Sequence, residues 1–345
     1  FFIDASMVGH LGEEASASIG LVESTTWLLG SVMGASAMGF SVMVAHFIGA
    51  NDFVKARQVL RHAFVCGIVF ATALMLMGVA IHTSLPFWLG GKADIAPAAS
   101  NYFLVISLSL PFMLLFHLSC DMLKSAGNMH VPSVMSVVLC VLDVMYNYFF
   151  IYFLGLGVMG AAVGTALAYV TVSLPATWIT VRKNKILALR QDAEPFRWVW
   201  DYVRNAVKIS LPMAIQSVLM SGAQIVSTRI VAPLGNIAIA SNSFAITAES
   251  LCYMPGYGIG EAATTLVGQT FGAGRKNLCK NFAYLSVALG MTVMAIMGAI
   301  MYIFAPEMIG VLSPVTAIRE LGTTVLRIEA FAEPFFAASI VAYYV

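Results

Sequence analysis

Long apolar runs without charged residues are the feature that most restricts what this chain can fold into. Each run approaches or exceeds the ~20 residues that an α-helix needs to cross a bilayer. Only 10% of the 345 residues are charged and 60% are hydrophobic, whereas a soluble domain carries roughly 25% charged residues. The chain is therefore predicted to be an all-α polytopic membrane protein. Ten membrane segments are expected, at residues 1–10, 18–49, 61–83, 98–124, 131–153, 157–182, 207–232, 239–271, 279–304 and 317–345.

Lysines and arginines are distributed unevenly between the two sets of loops that join these segments. Fourteen of the 18 lie in one set of loops or at the segment ends beside it, and Lys92, Arg229 and Arg319 lie in the other set or at its segment ends. Arg327 falls inside the last segment. Cytoplasmic loops of membrane proteins carry an excess of these residues. We therefore expect a multi-pass protein of the cell inner (plasma) membrane whose Lys/Arg-rich loops face the cytoplasm.

The sequence repeats itself at a fixed offset of 223 residues. Residues 8–18 read VGHLGEEASAS and residues 231–241 read VAPLGNIAIAS, with six of eleven positions identical. Two further pairs keep the same offset, Gly49-Ala50 with Gly272-Ala273 and Pro111-Phe112 with Pro334-Phe335. An offset that holds over about 100 residues indicates a duplicated helical bundle rather than a shared composition.

Each repeat is expected to hold six helices, so both cross the membrane in the same direction and are related by a pseudo-two-fold axis along the membrane normal. We predict an N-terminal lobe at 1–182 with an incomplete first helix, a cytoplasmic linker at 183–207 and a C-terminal lobe at 208–345. Because Val345 corresponds to Met122, the repeat leads us to expect that helices 11 and 12 of the second lobe are missing and that about ten of twelve helices are present. Two facing lobes enclose a cleft that can open to each side in turn.

Five short motifs follow one another along the chain. They are IDASMVGHLG at 3–12, AHFIGAND at 45–52, LKSAGNMHVP at 123–132, VAPLG at 231–235 and VGQTFGAG at 267–274. In this order and spacing they resemble the multidrug and toxic compound extrusion (MATE) family. The resemblance implies a monomeric secondary active transporter in the lipid bilayer, not an enzyme, that exports small amphipathic or cationic organic compounds. It implies antiport against H⁺ or Na⁺ by alternating access, with no cofactor and no nucleic-acid partner.

Ionisable side chains inside membrane segments mark candidate functional positions, because a charge in the hydrocarbon core costs ~3 kcal/mol or more. Asp4 and Asp143 are expected at similar depth in the first lobe, with Asn147 one helical turn beyond Asp143. Thr165 adds a hydroxyl from the sixth segment. Two carboxylates with amide and hydroxyl oxygens suit Na⁺, and two close acids also suit a shared proton. We expect these four residues to form the cation-coupling site, without a bound metal cofactor.

The resemblance is nearer to the DinF-like branch of the family. That branch uses a first-helix Asp together with an Asn and an Asp four residues apart on the fifth helix. Here LDVMYN places Asp143 first and Asn147 second, so the order is swapped. The NorM-like branch instead uses acids in the second lobe, at positions that correspond to Met220 and Ala337. Since neither residue has a carboxylate, the resemblance favours coupling in the first lobe.

Polar side chains in the second half are candidates for the substrate cleft, where buried carboxylates would attract cationic compounds. The candidates are Glu249, Glu261, Gln216 and Asn242. Glu329 and Glu333 lie four residues apart on the tenth segment, and Arg327 is expected to neutralise one of them.

Other function classes are weaker matches to the sequence. A lipid-linked oligosaccharide flippase of the same superfamily would need cations for a pyrophosphate, and mainly Arg229 and Arg327 lie within helices. A membrane-embedded enzyme would need clustered His, Asp or Cys at metal-binding spacing, which the sequence does not show. A channel is a third option, which flux independent of an ion gradient would support. The chain carries no H-E-x-x-H motif and no P-loop, so ATP is excluded as a direct energy source through this chain.

Overall fold

The computed structural model describes residues 13–89, 95–189, 196–231, 236–312 and 316–345, and within these ranges the chain is helical without a strand. The helices are α1 Glu13–Gly49, α2 Phe53–Ile81, α3 Leu85–Trp88, α4 Ala96–Ser125, α5 His130–Tyr148, α6 Gly157–Trp178, α7 Trp200–Val231, α8 Asn236–Gly272, α9 Lys276–Leu312 and α10 Thr316–Tyr344. A π-helical turn continues α5 at Phe149–Phe153, and another continues α6 at Ile179–Lys183.

Seven stretches of the described chain are long and apolar enough to cross a membrane. They are Thr25–Gly49, Phe53–Ile81, Ala96–Ser125, His130–Phe153, Gly157–Lys183, Trp200–Ala223 and Lys276–Val311. The predicted segments 239–271 and 317–345 form α8 and α10, which have 37 and 29 residues. The all-α polytopic membrane class is therefore confirmed, while the predicted first segment at 1–10 lies outside the described residues.

One turn geometry follows both α1 and α8. After α1, backbone N–H groups donate from Ala50 to His46, from Asn51 to Ile48 and from Asp52 to Phe47. The same three bonds recur 223 residues later, from Ala273 to Gln269, from Gly274 to Phe271 and from Arg275 to Thr270. Asn51 and Gly274 both adopt a positive φ, 58° and 70°, which Gly and Asn tolerate best. The sequence repeat is thus present in the backbone of these turns.

The turn after α1 also sets the start of α2. Asp52 is the N-cap residue, and its carboxylate accepts the backbone N–H of Lys55 at 3.1 Å and pairs with Lys55 Nζ at 2.7 Å. The side-chain hydrogen bond from Lys55 is the main cause that lowers the pKa of Asp52 below its ordinary value. The carboxylate therefore satisfies a helix-terminal N–H that would otherwise lack a partner.

The first compact unit, Phe1–Val218, packs its helices around α4. Phe103, Leu110 and Leu114 of α4 are buried in a core shared with α1 and α2. Phe116 and Cys120, further along α4, are buried against α6. Because α4 carries apolar side chains on more than one face, it can act as the central helix of this unit.

The second compact unit, Leu219–Val345, contains α8, α9 and α10 packed against one another. Its core is formed by Ala248, Cys252, Met301, Ala305, Ile309, Leu326 and Ala330. Glycines allow close approach between these helices, as where Gly256 of α8 meets Met294 of α9 and Gly290 of α9 meets Val341 of α10. Small residues at such contacts are the usual means by which membrane helices associate.

The boundary between the two units falls between Val218 and Leu219, inside α7. The sequence instead predicts a linker at 183–207 between lobes at 1–182 and 208–345, and that division stays a prediction. Part of the predicted linker packs on α2. Leu187 is buried with the apolar side chains of α2, and Arg57 Nη1 donates to the carbonyl of Ile186 at 3.0 Å.

His62 of α2 holds the residues that precede α7. Its fully buried ring donates from Nδ1 to the carbonyl of Gln58 at 2.7 Å, and Nε2 accepts the backbone N–H of Val199 at 2.8 Å. Because a carbonyl only accepts and a backbone N–H only donates, both bonds require the neutral Nδ1–H tautomer. Three rings lie 5.0–5.4 Å from the imidazole, centroid to centroid: Phe196, Trp198 and Tyr202.

Replacing His62 by alanine is expected to loosen the segment before α7, because the hydrogen bond to Val199 and the ring contacts are lost. One such bond contributes about 1 kcal/mol, so tryptic cleavage after the exposed Arg197 should accelerate by about fivefold or more. Limited proteolysis followed by mass spectrometry measures this rate. His82→Ala is the matched control, since His82 is the C-cap residue of α2 and its ring bonds only locally, to the carbonyl of Val79 in the last turn. Equal cleavage rates in the two variants would contradict the anchoring role.

Candidate functional site

Asp143 and Asn147 of α5 lie one helical turn apart and are joined by a hydrogen bond. Asn147 Nδ2 donates to Asp143 Oδ1 at 3.3 Å. Asn147 is fully buried and Asp143 is half-buried. The structure thus places these two predicted site residues side by side on α5, with the amide orienting one carboxylate oxygen.

Helix α6 approaches α5 through a Gly-x-x-x-Gly pair, Gly160 and Gly164. A Cβ on Gly164 would lie 2.8 Å from the backbone N of Asn147 and 3.0 Å from its Cα. A Cβ on Gly160 would lie 2.8 Å from the carbonyl carbon of Phe150. Glycines at this spacing let membrane helices meet backbone to backbone. Asn147 is therefore fixed by close packing against α6 as well as by its bond to Asp143.

Tyr169 of α6 lies near this pair, and His117 of α4 lies near Tyr169. The Asp143 carboxylate acts electrostatically on the phenol of Tyr169. The ring of Tyr169 lies 6.4 Å from the ring of His117 and 5.9 Å from the ring of Phe116, centroid to centroid. The Asp143–Asn147 pair on α5, the phenol of Tyr169 on α6 and the imidazole of His117 on α4 therefore follow one another across three helices as one cluster of polar groups.

Thr165 and Asp4 are the two remaining residues of the predicted coupling site. Thr165 is half-buried next to Gly164 but makes no hydrogen bond to Asp143 or Asn147. Asp4 lies outside the described residues, so its part in the site stays a prediction. The π-helical turn Phe149–Phe153 begins two residues after Asn147. Such turns inside helices are frequent at functional sites.

Neither Tyr169 nor His117 is among the residues that the sequence predicts for the coupling site. Tyr169 follows Thr165 by one helical turn, and that spacing alone places the two on one face of α6. The Gly160–Gly164 spacing is likewise readable from the sequence and indicates a close helix contact. His117 belongs to α4, and no linear spacing connects it with α5.

The predicted cleft residues of α8 are spread along the helix. Asn242, Glu249 and Glu261 are half-buried, and the two acids are twelve residues apart. At 1.5 Å per residue, that separation is about 18 Å along the axis, too long for one small site to include both carboxylates. Gln216, on α7, has an exposed side chain. Their role at a substrate cleft stays a prediction.

Glu333 of α10 is the most deeply buried acid of the described second unit, with 1% of its surface exposed. Neither of its carboxylate oxygens has a hydrogen-bond partner within the described chain, and the same holds for Oε2 of Glu329. Glu249 of α8 acts electrostatically on both of these acids. Three carboxyl groups from α8 and α10 therefore lie near one another, with the thiol of Cys252 beside Glu333.

Arg327 does not neutralise these acids, contrary to the expectation from the sequence. Its Cζ lies 5.3 Å from the centroid of the Tyr302 ring, and its Nε donates to the carbonyl of Tyr302 at 3.3 Å. The side chain is exposed. The reason is helical geometry, because residues two apart on a helix do not face each other, so Arg327 points away from Glu329.

Comparison with known proteins finds relatives that cover most of this chain. A family model described as MatE matches residues 1–149 and 212–345. The Probable multidrug resistance protein NorM of Thermotoga maritima is 26% identical over 342 residues, covering 97% of this chain and 72% of that protein. The Multidrug export protein MepA of Staphylococcus saprophyticus is 24% identical over 324 residues, covering 93% of this chain and 71% of that protein.

Solved structures share the fold at low sequence identity. A crystal structure of MATE in the straight conformation gives a TM-score of 0.90 at 21% identity, covering 99% of this chain and 77% of that chain. An outward-facing multidrug resistance MATE family transporter of the MOP superfamily gives 0.88 at 22% identity, covering 99% and 78%. A MOP superfamily transporter from Pyrococcus furiosus, described by a reversed polarity of its binding pocket that suggests a different function, gives 0.87 at 21% identity, covering 99% and 78%.

Proposed function

The chain belongs to the MatE family, and on that premise we propose that it is a secondary active antiporter that exports amphipathic or cationic organic compounds. The observation that carries the proposal is the family match, which extends over both halves of the chain. The relatives from Thermotoga and Staphylococcus are named for multidrug resistance and multidrug export. The family consists of transporters, so the activity is movement of a substrate and not its chemical conversion.

The coupling ion, H⁺ or Na⁺, is proposed to bind at the cluster around Asp143 and Asn147, completed by Asp4 and Thr165. The position of this pair supports the proposal. A change in the charge of Asp143 alters its hydrogen bond to Asn147. Asn147 in turn packs closely against Gly164 of α6. Close backbone contacts do not deform continuously, so a change in the charge favours one helix packing over another. Alternating access requires such a pair of helices, whose packing switches when an ion binds or leaves.

The charges of the loops support one orientation of the transporter. The Lys/Arg-rich loops are proposed to face the cytoplasm of a cell inner membrane. The protein is proposed to act as a monomer on small organic molecules, with Glu249, Glu261, Gln216 and Asn242 as candidate contacts in the cleft.

Transport by the purified full-length protein in proteoliposomes tests the proposal. An amphipathic cationic dye such as ethidium is followed by fluorescence while a pH gradient or a Na⁺ gradient is imposed separately. We expect dye movement against the direction of one ion gradient, and none in liposomes without protein. Movement that is equally fast with no gradient would contradict antiport and indicate a channel.

The same vesicles distinguish antiport from the competing function, which is flipping of a lipid-linked oligosaccharide. The Pyrococcus protein shares the fold, and its binding pocket of reverse polarity is described as suggesting a different function. A flippase would translocate a fluorescent lipid-linked pyrophosphate without an ion gradient and would leave the dye in place. In the described second unit, Arg327 binds the backbone and ring of Tyr302, which gives little support to a pyrophosphate site.

A further inference from the structure

We propose that the two ends of the connection between α6 and α7 form a binding surface for the headgroups of anionic phospholipids. The basic surface, as we name it, is a set of exposed cations and tryptophans. Its residues are Trp178, Arg182, Lys183, Lys185, Arg197, Trp198, Trp200, Arg204 and Lys208. The inference concerns a lipid partner and does not depend on which compound or ion is transported.

Helix α2 holds the two ends of this connection beside each other. Arg57 Nη1 donates to the carbonyl of Ile186 at 3.0 Å, and His62 Nε2 accepts the backbone N–H of Val199 at 2.8 Å. Arg57 and His62 are five residues apart, which is about 7.5 Å along the axis of α2. The residues that follow α6 and those that precede α7 are therefore fixed on one helix, and their exposed side chains can act together.

The basic surface adjoins two stretches that are long and apolar enough to cross a membrane. One of them, Gly157–Lys183, ends at this surface, and the other, Trp200–Ala223, begins at it. Trp198 and Trp200 are 48% and 66% exposed, although the ring of Trp198 also lies 5.1 Å from the ring of His62, centroid to centroid. Tryptophan is enriched at the level of lipid headgroups. The surface is thus placed where headgroups lie.

The charge of the basic surface is strongly positive and is not neutralised within the described chain. Residues 182–208 contain seven Lys or Arg against three Asp or Glu. The six cations of the surface are exposed and form no ion pair with a described residue, and Asp201 is the one described acid of this stretch. Lys55 and Lys124, by contrast, pair with neighbouring aspartates. Clusters of about four to eight Lys or Arg beside a membrane helix attract anionic lipids.

The arrangement of cations and rings suits a phosphate group held at the membrane surface. Trp200, Arg204 and Lys208 are spaced four residues apart and lie on one face of α7. Helical side chains tilt toward the N-terminus, so both cations extend back toward the tryptophan. On α6, Lys183 Nζ lies 4.7 Å from the ring centroid of Trp178. Guanidinium and ammonium groups donate charge-assisted hydrogen bonds to phosphate oxygens. A lipid without its own cation, such as phosphatidylglycerol, complements this surface better than phosphatidylcholine does.

Native mass spectrometry of the purified full-length protein, titrated with phosphatidylglycerol or phosphatidylcholine, tests the binding surface. We expect phosphatidylglycerol to bind more tightly, and the double variant Arg204→Gln with Lys208→Gln to weaken its binding by about tenfold or more. The matched control is Lys276→Gln with Lys280→Gln, which removes two exposed cations at the same spacing from the start of α9. That control should stay within about twofold of the wild type. Equal weakening by the two double variants would indicate general charge attraction only and would overturn the proposal.

Quenching of tryptophan fluorescence by brominated lipids tests the part played by the rings. In vesicles, brominated phosphatidylglycerol should quench the full-length protein more than brominated phosphatidylcholine at the same content. We expect most of this excess to be lost in Trp198→Phe with Trp200→Phe and retained in Trp88→Phe, since Trp88 is exposed on α3 outside the basic surface. Equal quenching of the wild type by both lipids would contradict the proposal. Neither readout involves transport, so a failure of the proposed antiport function would be recognised separately.

Discussion

Asp143→Asn is expected to abolish gradient-driven export while leaving the protein folded. Asparagine keeps the size of the side chain and can still hydrogen-bond to Asn147, so the contact between α5 and α6 is retained. It cannot change charge, and the ion that the gradient supplies then has no carboxylate on α5. The measurement is dye export from proteoliposomes under imposed pH and Na⁺ gradients, with export expected to fall to the level of empty liposomes.

The matched control for this variant is Asp121→Asn. Asp121 lies on α4 and pairs with Lys124 at 3.4 Å within the same helix, and such local pairs contribute only ~0–1 kcal/mol. We expect Asp121→Asn to export normally. Normal export by Asp143→Asn would remove Asp143 from the coupling site and, with it, the first-unit coupling proposal.

The swapped order of Asp143 and Asn147 can be tested by reversing it. The double variant Asp143→Asn with Asn147→Asp restores the Asn-then-Asp order of the DinF-like branch and retains one amide and one carboxylate in hydrogen-bonding reach. We expect it to recover part of the export that Asp143→Asn loses, because the chemical groups of the cluster are the same. Continued full loss would show that the carboxylate must sit at position 143.

Gly164→Ala is expected to destabilise the protein and to abolish export together. The added methyl group would lie 2.8 Å from the backbone N of Asn147, so α5 and α6 must move apart. Overpacking of this kind costs about 1–3 kcal/mol. It also displaces Asn147, which orients the Asp143 carboxylate. Thermal denaturation followed by size-exclusion chromatography measures the stability, and the proteoliposome assay measures export.

Gly34→Ala is the matched control, because a Cβ at Gly34 of α1 meets no atom within 4 Å. Alanine is the better helix former by about 1 kcal/mol, so Gly34→Ala should be neutral or slightly stabilising. The two substitutions add the same atom to the same residue type, and opposite signs of the stability change are the expected result. A Gly164→Ala protein as stable as the Gly34→Ala protein would contradict the close contact at Asn147.

Much of the architecture could be predicted because it depends on properties that run along the chain. Apolar length predicts the membrane segments, and the offset of 223 residues predicts the equivalent turns at Asn51 and Gly274. The proximity of Asp143 and Asn147 follows from helical periodicity alone. The separation of Glu249 from Glu261 also follows from periodicity once both lie on one continuous helix.

Arg327 shows where that reasoning failed. Its proximity in sequence to Glu329 suggested an ion pair, but two residues on a helix point to different sides, and Arg327 instead contacts Tyr302 of α9. His117 shows the complementary failure. It reaches the cluster from α4, and the rotation of one helix against another is set by packing, which no spacing in the sequence records.

The sequence by itself determined that this chain is a helical membrane protein with a repeated half, because the bilayer selects for apolar length and a repeat retains its register. Only the tertiary structure decided that Gly164 packs against Asn147 and that His117 lies near Tyr169. It also decided that Glu333 is buried near Glu249 and Glu329. The physical reason is that charge and hydrogen bonding act over a few ångströms between helices. Which side chains come within that distance depends on how the helices rotate and how closely their backbones approach.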